Sequence, residues 1–376
     1  MEAEALRVDP PALTLVDRDA RRPAPADRAH GPRRAELSDG PGRELMNEAL
    51  LRRGSTSCAT ETAIHAVITL SLDDLLTGEW DEALRLAGVG LEMCDTHRYH
   101  ELRWPLWVVS AVIAALRGDD ERARELAGRL ADWAGRRGSA AAQLYALYVQ
   151  CLLAQARDDF EQAYRCIAEL GVPAVFSAHL PLALAASVDF VECALRTDRP
   201  EAARAYADML RTADLTVLSA RTRLLTGCAI GLANSGQNGH FERSLSTPGI
   251  NHLAYDRARV QLAYAERLRR RGSLRTAQKH LTDALATFRD LRAAPWQSRA
   301  HRELLGTRSV RIGAEAALTP QERTIAELAA SGLTNKQIGT RAYLSHRTVS
   351  THLHRVYDKL GISTRAALRD ALGTVD

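Results

Sequence analysis

A six-residue segment recurs along the middle of the chain. It appears as Gly78-Glu-Trp-Asp-Glu-Ala83, Gly118-Asp-Asp-Glu-Arg-Ala123, Asp158-Asp-Phe-Glu-Gln-Ala163, Thr197-Asp-Arg-Pro-Glu-Ala202, Gly239-His-Phe-Glu-Arg-Ser244 and Gly272-Ser-Leu-Arg-Thr-Ala277. The last positions are 40, 40, 39, 42 and 33 residues apart. A period of this length holds two helices and two turns, so the chain is constrained to stack like units. Each segment begins with a residue suited to a tight turn and continues with acidic residues that favour a helix N-terminus. A small residue one turn later lets the neighbouring helix come close.

The second helix of each unit carries an apolar stripe, as in Ala123, Leu126, Ala127 and Leu130, or Ala277, Leu281, Ala284, Leu285 and Phe288. One unit alone leaves that stripe wet, and stacking five or six units covers it. Residues 44–305 are therefore expected to form a tetratricopeptide-like helical solenoid. The fifth unit is the weak one, because Asn234-Ser-Gly-Gln-Asn-Gly239 and Ser246-Thr-Pro-Gly249 interrupt it and read as loops.

Residues 1–43 differ in kind. They hold six of the thirteen prolines, eight arginines and eight acids, with little apolar periodicity, and are expected to form a disordered tail. Over the whole chain 46% of residues are hydrophobic and 26% charged, which excludes bulk disorder. Six scattered cysteines without a Cys-x-x-Cys pair read as buried helix residues in a reducing compartment. The longest apolar run, Trp104 to Leu116, falls short of the ~20 residues of a spanning helix and reads as a core helix. The start, Met-Glu-Ala-Glu, lacks a basic region followed by an apolar one, so a cytoplasmic location without membrane contact is expected.

Beyond a linker at 306–317, residues 318–376 show dense helix punctuation. Thr319-Pro-Gln-Glu322 is a capping box opening a helix through Ala330 that stops near Gly332. A second box, Thr334-Asn-Lys-Gln337, opens a short helix to about Tyr343. Ser345 caps a third helix, His346 to Leu360, closed by Gly361, and Ser363 caps a fourth that ends near Leu372. In the third helix Val349, Leu353, Val356 and Leu360 form the buried stripe, while Arg347, Ser350, Thr351, His354 and Arg355 occupy the opposite face. Donors and short hydroxyls of this kind suit base edges and phosphates in a major groove, and two helices joined by a tight turn are the frame that presents them there. A small helical cap with a solvated polar face would show the same charge pattern.

Leu318-Thr-Pro-Gln-Glu-Arg323, Ala330-Ser-Gly-Leu-Thr-Asn-Lys-Gln-Ile338, Leu344-Ser-His-Arg-Thr-Val349, His352 and Lys359-Leu-Gly-Ile-Ser-Thr-Arg365 resemble the signature of the LuxR-type C-terminal helix-turn-helix. The resemblance covers the last 59 residues. A softer likeness, around Tyr264-Ala-Glu-Arg-Leu-Arg-Arg-Arg-Gly272 and Leu291-Arg-Ala-Ala-Pro-Trp296, is to the helical repeats of the large ATP-binding regulators of the maltose-regulator type. What this implies is an all-α transcriptional regulator that binds double-stranded promoter DNA. Arg347, Thr348, Ser350, Thr351, His354 and Arg355 are the implied contacts on the recognition helix. Thr334, Asn335 and Lys336, at the preceding helix's N-terminus, are expected to meet a phosphate. His352 flanks the apolar stripe and is expected to pack. The resemblance further implies a homodimer through Thr364–Leu372, an effector, small molecule or protein, received by the repeats, and contact with RNA polymerase.

Two positions depart from the family pattern. Gly339 stands where Ala is usual, costing ~1 kcal/mol of helix propensity unless close packing compensates. Ser350 stands where many members carry a basic residue, which shifts the preferred operator.

Other chemistry is not visible. The phosphate loop of the large regulators has no counterpart: Gly54-Ser-Thr-Ser-Cys58 lacks the lysine, and Gly88-Val-Gly90 lies inside a repeat helix. His97-Arg-Tyr-His100-Glu101 has no companion ligand cluster. No enzyme, cofactor or metal is expected. Two other readings stay open: a repeat scaffold whose last module docks onto protein, and a fragment of a longer ATP-dependent regulator. The net charge of +4 divides unevenly, since residues 320–376 carry eight basic and five acidic side chains. Lys336 is expected at a phosphate, and Lys359 at its helix's C-terminal dipole.

Overall fold

The turn residues of the repeat fix the architecture. In the computed structural model, residues 57–376 are described apart from 171–179, 214–217, 235, 237, 317, 361, 363 and 373–376, so the N-terminal tail lies outside the described residues. Left-handed backbone falls at Gly78, Arg98, Gly118, Gly138 and Asp158, every twenty residues, and again on that count at Asp198. Each helix with its turn thus takes twenty residues and each pair forty. Asp and Gly suit this conformation, whereas Arg98 and Arg292 adopt it without such a preference.

The first five pairs are α1 Ser57–Thr77 with α2 Trp80–Thr96, α3 Arg103–Arg117 with α4 Asp120–Arg137, α5 Ala140–Ala156 with α6 Phe160–Glu169, α7 Leu180–Arg196 with α8 Pro200–Ala213, and α9 Ala220–Ala233 with α10 Gly239–Leu245. Then come α11 Ala254–Arg270 with α12 Leu274–Asp290, and α13 Ala294–Ala316. Every element among the described residues is helical. The expected small residues are buried: Ala83, Ala123, Ala163 and Ala277 are fully inaccessible. The fourth unit corrects the sequence register by one. Asp198 takes the left-handed turn and Ala203, not Ala202, is fully buried, so the spacing there becomes 40 and then 41. The second template position also caps: the Asp119 carboxylate accepts from Arg122 N at 3.2 Å, and that of Asp159 from Gln162 N at 3.0 Å.

The fifth unit exists but is cut short, α10 spanning seven residues. Phe241 fills the gap. It is fully buried, stacks on Tyr264 at 5.1 Å between ring centroids, and sits against Gly231, where an added Cβ would approach its ring to 2.8 Å. The apolar run Trp104–Leu116 forms α3, buried along most of its length, and Cys94, Cys151, Cys166, Cys193 and Cys228 are buried thiols. No helix among the described residues is long and apolar enough to cross a membrane.

A plain solenoid would leave its inner face open. Here α11 and α13 lie against the inward helices of earlier units, α11 against α1 and α9, and α13 against α3. The turns of the first two units touch the last. At Gly78 an added Cβ would lie 3.1 Å from Ala254 Cβ, and at Gly118 one would lie 3.2 Å from Pro295. Arg117 donates to the Leu291 carbonyl at 3.3 Å and to Asp81 at 2.7 Å.

At the centre of this closure sits a charge-balanced cluster of three guanidiniums and three carboxylates, buried except for the partly exposed Arg196. Arg259 on α11 donates to Asp189 at 2.7 Å and reaches Glu192 at 3.3 Å, both on α7. Arg299 on α13 bonds Glu266 at 2.8 Å and also Glu192. Arg196 completes the set with Glu192 at 3.0 Å and Glu266 at 2.8 Å. The Arg259 guanidinium lies 3.6 Å from the Trp296 ring centre. Burial would raise the Glu192 carboxyl, but Arg299 and Arg259 overcome it and hold the group well below the usual range. Burial wins at Asp189, whose carboxyl is pushed up.

A second, smaller core forms downstream, from Leu318 to Leu368. The stretch read as a linker from 306 is helical through Ala316, as the end of α13.

Candidate nucleic-acid interface

Four helices build this second unit: α14 Pro320–Ala330, α15 Asn335–Ala342, α16 His346–Leu360 and α17 Ala367–Ala371. Both capping boxes form. Thr319 N donates to the Glu322 carboxylate at 2.8 Å while Glu322 N reaches the Thr319 hydroxyl at 3.3 Å, and Thr334 and Gln337 repeat the exchange at 2.8 and 3.4 Å. At the head of α16, Thr348 N donates to the Ser345 hydroxyl at 3.1 Å. These caps fix where α14, α15 and α16 begin, and with that the direction of the recognition helix.

The turn between them is tight. Tyr343 takes the left-handed conformation with its ring almost fully exposed, and Leu344 N donates to the Gly339 carbonyl at 2.9 Å. An added Cβ at Gly339 would stand 2.6 Å from the Leu344 carbonyl oxygen, so this close approach offsets the helix propensity lost there.

On α16, Val349 and Val356 are fully buried, and Leu353 and Leu360 nearly so. Arg347, Ser350, Thr351, His354 and Arg355 are exposed together on the other face. Thr348 is half-buried, its hydroxyl 2.8 Å from that of Ser345, and His352 is half-buried as its position beside the stripe implied.

At the N-terminus of α15 the three expected phosphate positions differ. Lys336 and Thr334 are exposed, but the Thr334 hydroxyl is engaged with Gln337 Oε1 at 2.9 Å. The Asn335 side chain accepts from Arg365 Nη1 at 2.6 Å, and Arg365 also donates to the Leu333 carbonyl. This tie from the α16–α17 connection was invisible in the sequence. The last helix is shorter than expected, Ala367–Ala371 in place of Thr364–Leu372, with Leu368 fully buried in the unit's own core.

Lys359 lies in the last turn of α16, as expected, and has a partner besides. Its ammonium lies 2.6 Å from the Glu322 carboxylate, so the residue ties the end of α16 to the first turn of α14. That bond, with the Thr319 backbone bond, lowers the Glu322 carboxyl to about 2. The stabilisation is therefore complete above the unfolded pKa of about 4.3 and is lost as pH falls through the folded value. Glu322→Gln is expected to destabilise this unit by roughly 1–3 kcal/mol at pH 7 and much less at pH 2–3. Urea unfolding at the two pH values checks this, and an equal loss at both would show that the charge is not the cause.

Residues 316–371 match the family of bacterial regulatory proteins of the LuxR type. The C-terminal unit is a LuxR-family helix-turn-helix domain. An HTH-type transcriptional regulator of Mycobacterium tuberculosis is 51% identical over 53 residues, 14% of this chain and 6% of that protein. The DNA-binding transcriptional activator DevR/DosR of the same species is 48% identical over 48 residues, 13% of this chain and 22% of the activator. The regulatory protein SgaR of Hyphomicrobium methylovorum is 49% identical over 49 residues, covering 23% of its length. The matches to these relatives span under a quarter of each relative.

Proposed function

We propose that the chain is a transcriptional regulator whose LuxR domain binds promoter DNA while the helical repeats receive a signal. The observation that carries this reading is the division of α16 into a fully buried apolar stripe and an exposed face of Arg347, Ser350, Thr351, His354 and Arg355 within a LuxR-type domain. A major groove admits one helix, and such a face supplies donors for guanine and phosphate and hydroxyls for either. Thr348 contributes at the rim of the contact. Lys336 supplies a phosphate contact beside the α15 N-terminus, where Thr334 and Asn335 present the backbone, and the exposed Tyr343 hydroxyl lies in the same turn. Two copies pair through 364–372 on half-sites about one helical turn apart, in the cytoplasm, where RNA polymerase is the further partner. The effector acts on the repeats, whose inner face is occupied by α11 and α13.

Footprinting of the tagged full chain across its genome tests the reading. Discrete protected sites with two related halves are expected, whereas protection no different from an untagged control would defeat it.

A further inference from the structure

One side chain in the turn of the LuxR domain touches almost nothing. Tyr343 is 95% exposed, whereas the other exposed large hydrophobic side chains among the described residues lie between 37% and 55%. Its backbone is left-handed, with φ 55°, at the position where a helix usually ends on Gly or Asn. The other described non-glycine residues with such backbone, Arg98, Asp158, Asp198 and Arg292, carry charged side chains. Tyr343 N and Leu344 N both donate to the Gly339 carbonyl, so backbone bonds hold the turn and the ring does not. Neither packing nor turn geometry selects an aromatic residue here. Gly or Asn would serve both better.

The charge around the turn points to the partner. From Leu328 to Tyr357, thirty positions, the chain has no acidic residue, and it has Lys336, Arg341, Arg347 and Arg355, all exposed. A polyanion suits such a surface. When α16 lies in a major groove, its first residues reach base edges and the preceding helix crosses the backbone, so the turn between them stands at the edge of the groove. Tyr343 is three positions ahead of His346, the first residue of α16. A phenol suits that edge, with an apolar body and a hydroxyl at its tip that donates to phosphate oxygen.

We propose that the Tyr343 hydroxyl donates to a DNA backbone phosphate and so helps to set the recognition helix in the groove. The proposal rests on the reading of the LuxR domain as a DNA reader and adds a contact on the turn to those of α16 and the head of α15. It also accounts for a left-handed tyrosine, because the side chain acquires its partner only on DNA.

Full-chain Tyr343→Phe and Tyr343→Asn, titrated by fluorescence anisotropy onto a fragment recovered by footprinting and onto an unrelated duplex, test this. Phe removes only the donor. Asn removes the ring as well and suits the left-handed turn. Both variants should bind about threefold more weakly than wild type, or weaker still, the range for one lost hydrogen bond. The factor should be the same on both duplexes, since a phosphate carries no sequence information. The slope of log affinity against log salt should keep its wild-type value, because a hydroxyl displaces no counterion, in contrast to the lysine of Lys336→Ala. Tyr343→Asn should also unfold at the wild-type temperature or above it, which separates lost binding from a damaged fold. A smaller loss for Tyr343→Phe, or a loss confined to the footprinted fragment, would overturn the phosphate contact and leave the domain a DNA reader. A wild-type chain that binds neither duplex would overturn both.

Discussion

Replacing Arg299 by methionine is expected to cost the repeat domain about 3–5 kcal/mol, the range for removing one member of a buried ion cluster. Arg299 is 7% exposed and stands between Glu192 and Glu266, themselves 5% and 7% exposed. Its loss leaves three carboxylates, all largely buried, against two guanidiniums, and methionine fills most of the volume while supplying no charge. The effect should exceed any change at the rim of the fold. Arg122→Ala, which removes an exposed pair with Glu125 at 2.7 Å, is expected within about 0.5 kcal/mol of the parent. Urea unfolding of the full chain measures both. A loss under 1 kcal/mol for Arg299→Met would mean that the cluster is hydrated and does not hold the closure.

The same variant separates closure from local stability. Because α13 joins units two, three and four at once, its release should open the inner face and raise hydrogen exchange in α3, α5 and α7 together.

The repeat was legible because its signals are local. A turn that needs Gly or Asp, a cap and a small residue one turn later all lie within six positions. Locality also explains the error at the fourth unit: both Thr197 and Asp198 can open the template and both Ala202 and Ala203 can close it, so packing alone chose the register. The closure was not legible. Arg259, Glu266 and Arg299 carry no local pairing signal, and their partners are 33 to 107 positions away.

In the LuxR domain the apolar stripe of α16 and both capping boxes could be read directly, since a period of 3.6 and a spacing of three carry them. Lys359 and Asn335 each have a partner that the sequence did not reveal, for one shared reason. Each was assigned to the nearest helix end, and each is held by a residue 30 or more positions away, Glu322 and Arg365.

The second large effect concerns DNA. Lys336 and Arg347 are both exposed, so their replacement by alanine should leave the fold intact. Lys336→Ala removes a phosphate contact: binding should weaken to a similar degree on every sequence, and the slope of log affinity against log salt should fall by about one. Arg347→Ala removes a contact from the recognition face, with an expected cost of about 1–3 kcal/mol at the cognate site and reduced discrimination from unrelated DNA. Combined, the two should weaken cognate binding at least tenfold, because they act on separate parts of the interface.

Whether α16 and the head of α15 face the DNA is tested by fluorescence anisotropy of the full chain and the Lys336→Ala/Arg347→Ala variant, titrated at several salt concentrations onto a fragment recovered by footprinting. At least tenfold weaker binding, a shallower salt slope and unchanged circular dichroism are expected for the variant. Wild-type affinity and slope in the variant would contradict it, since α16 and the head of α15 would then not face the DNA.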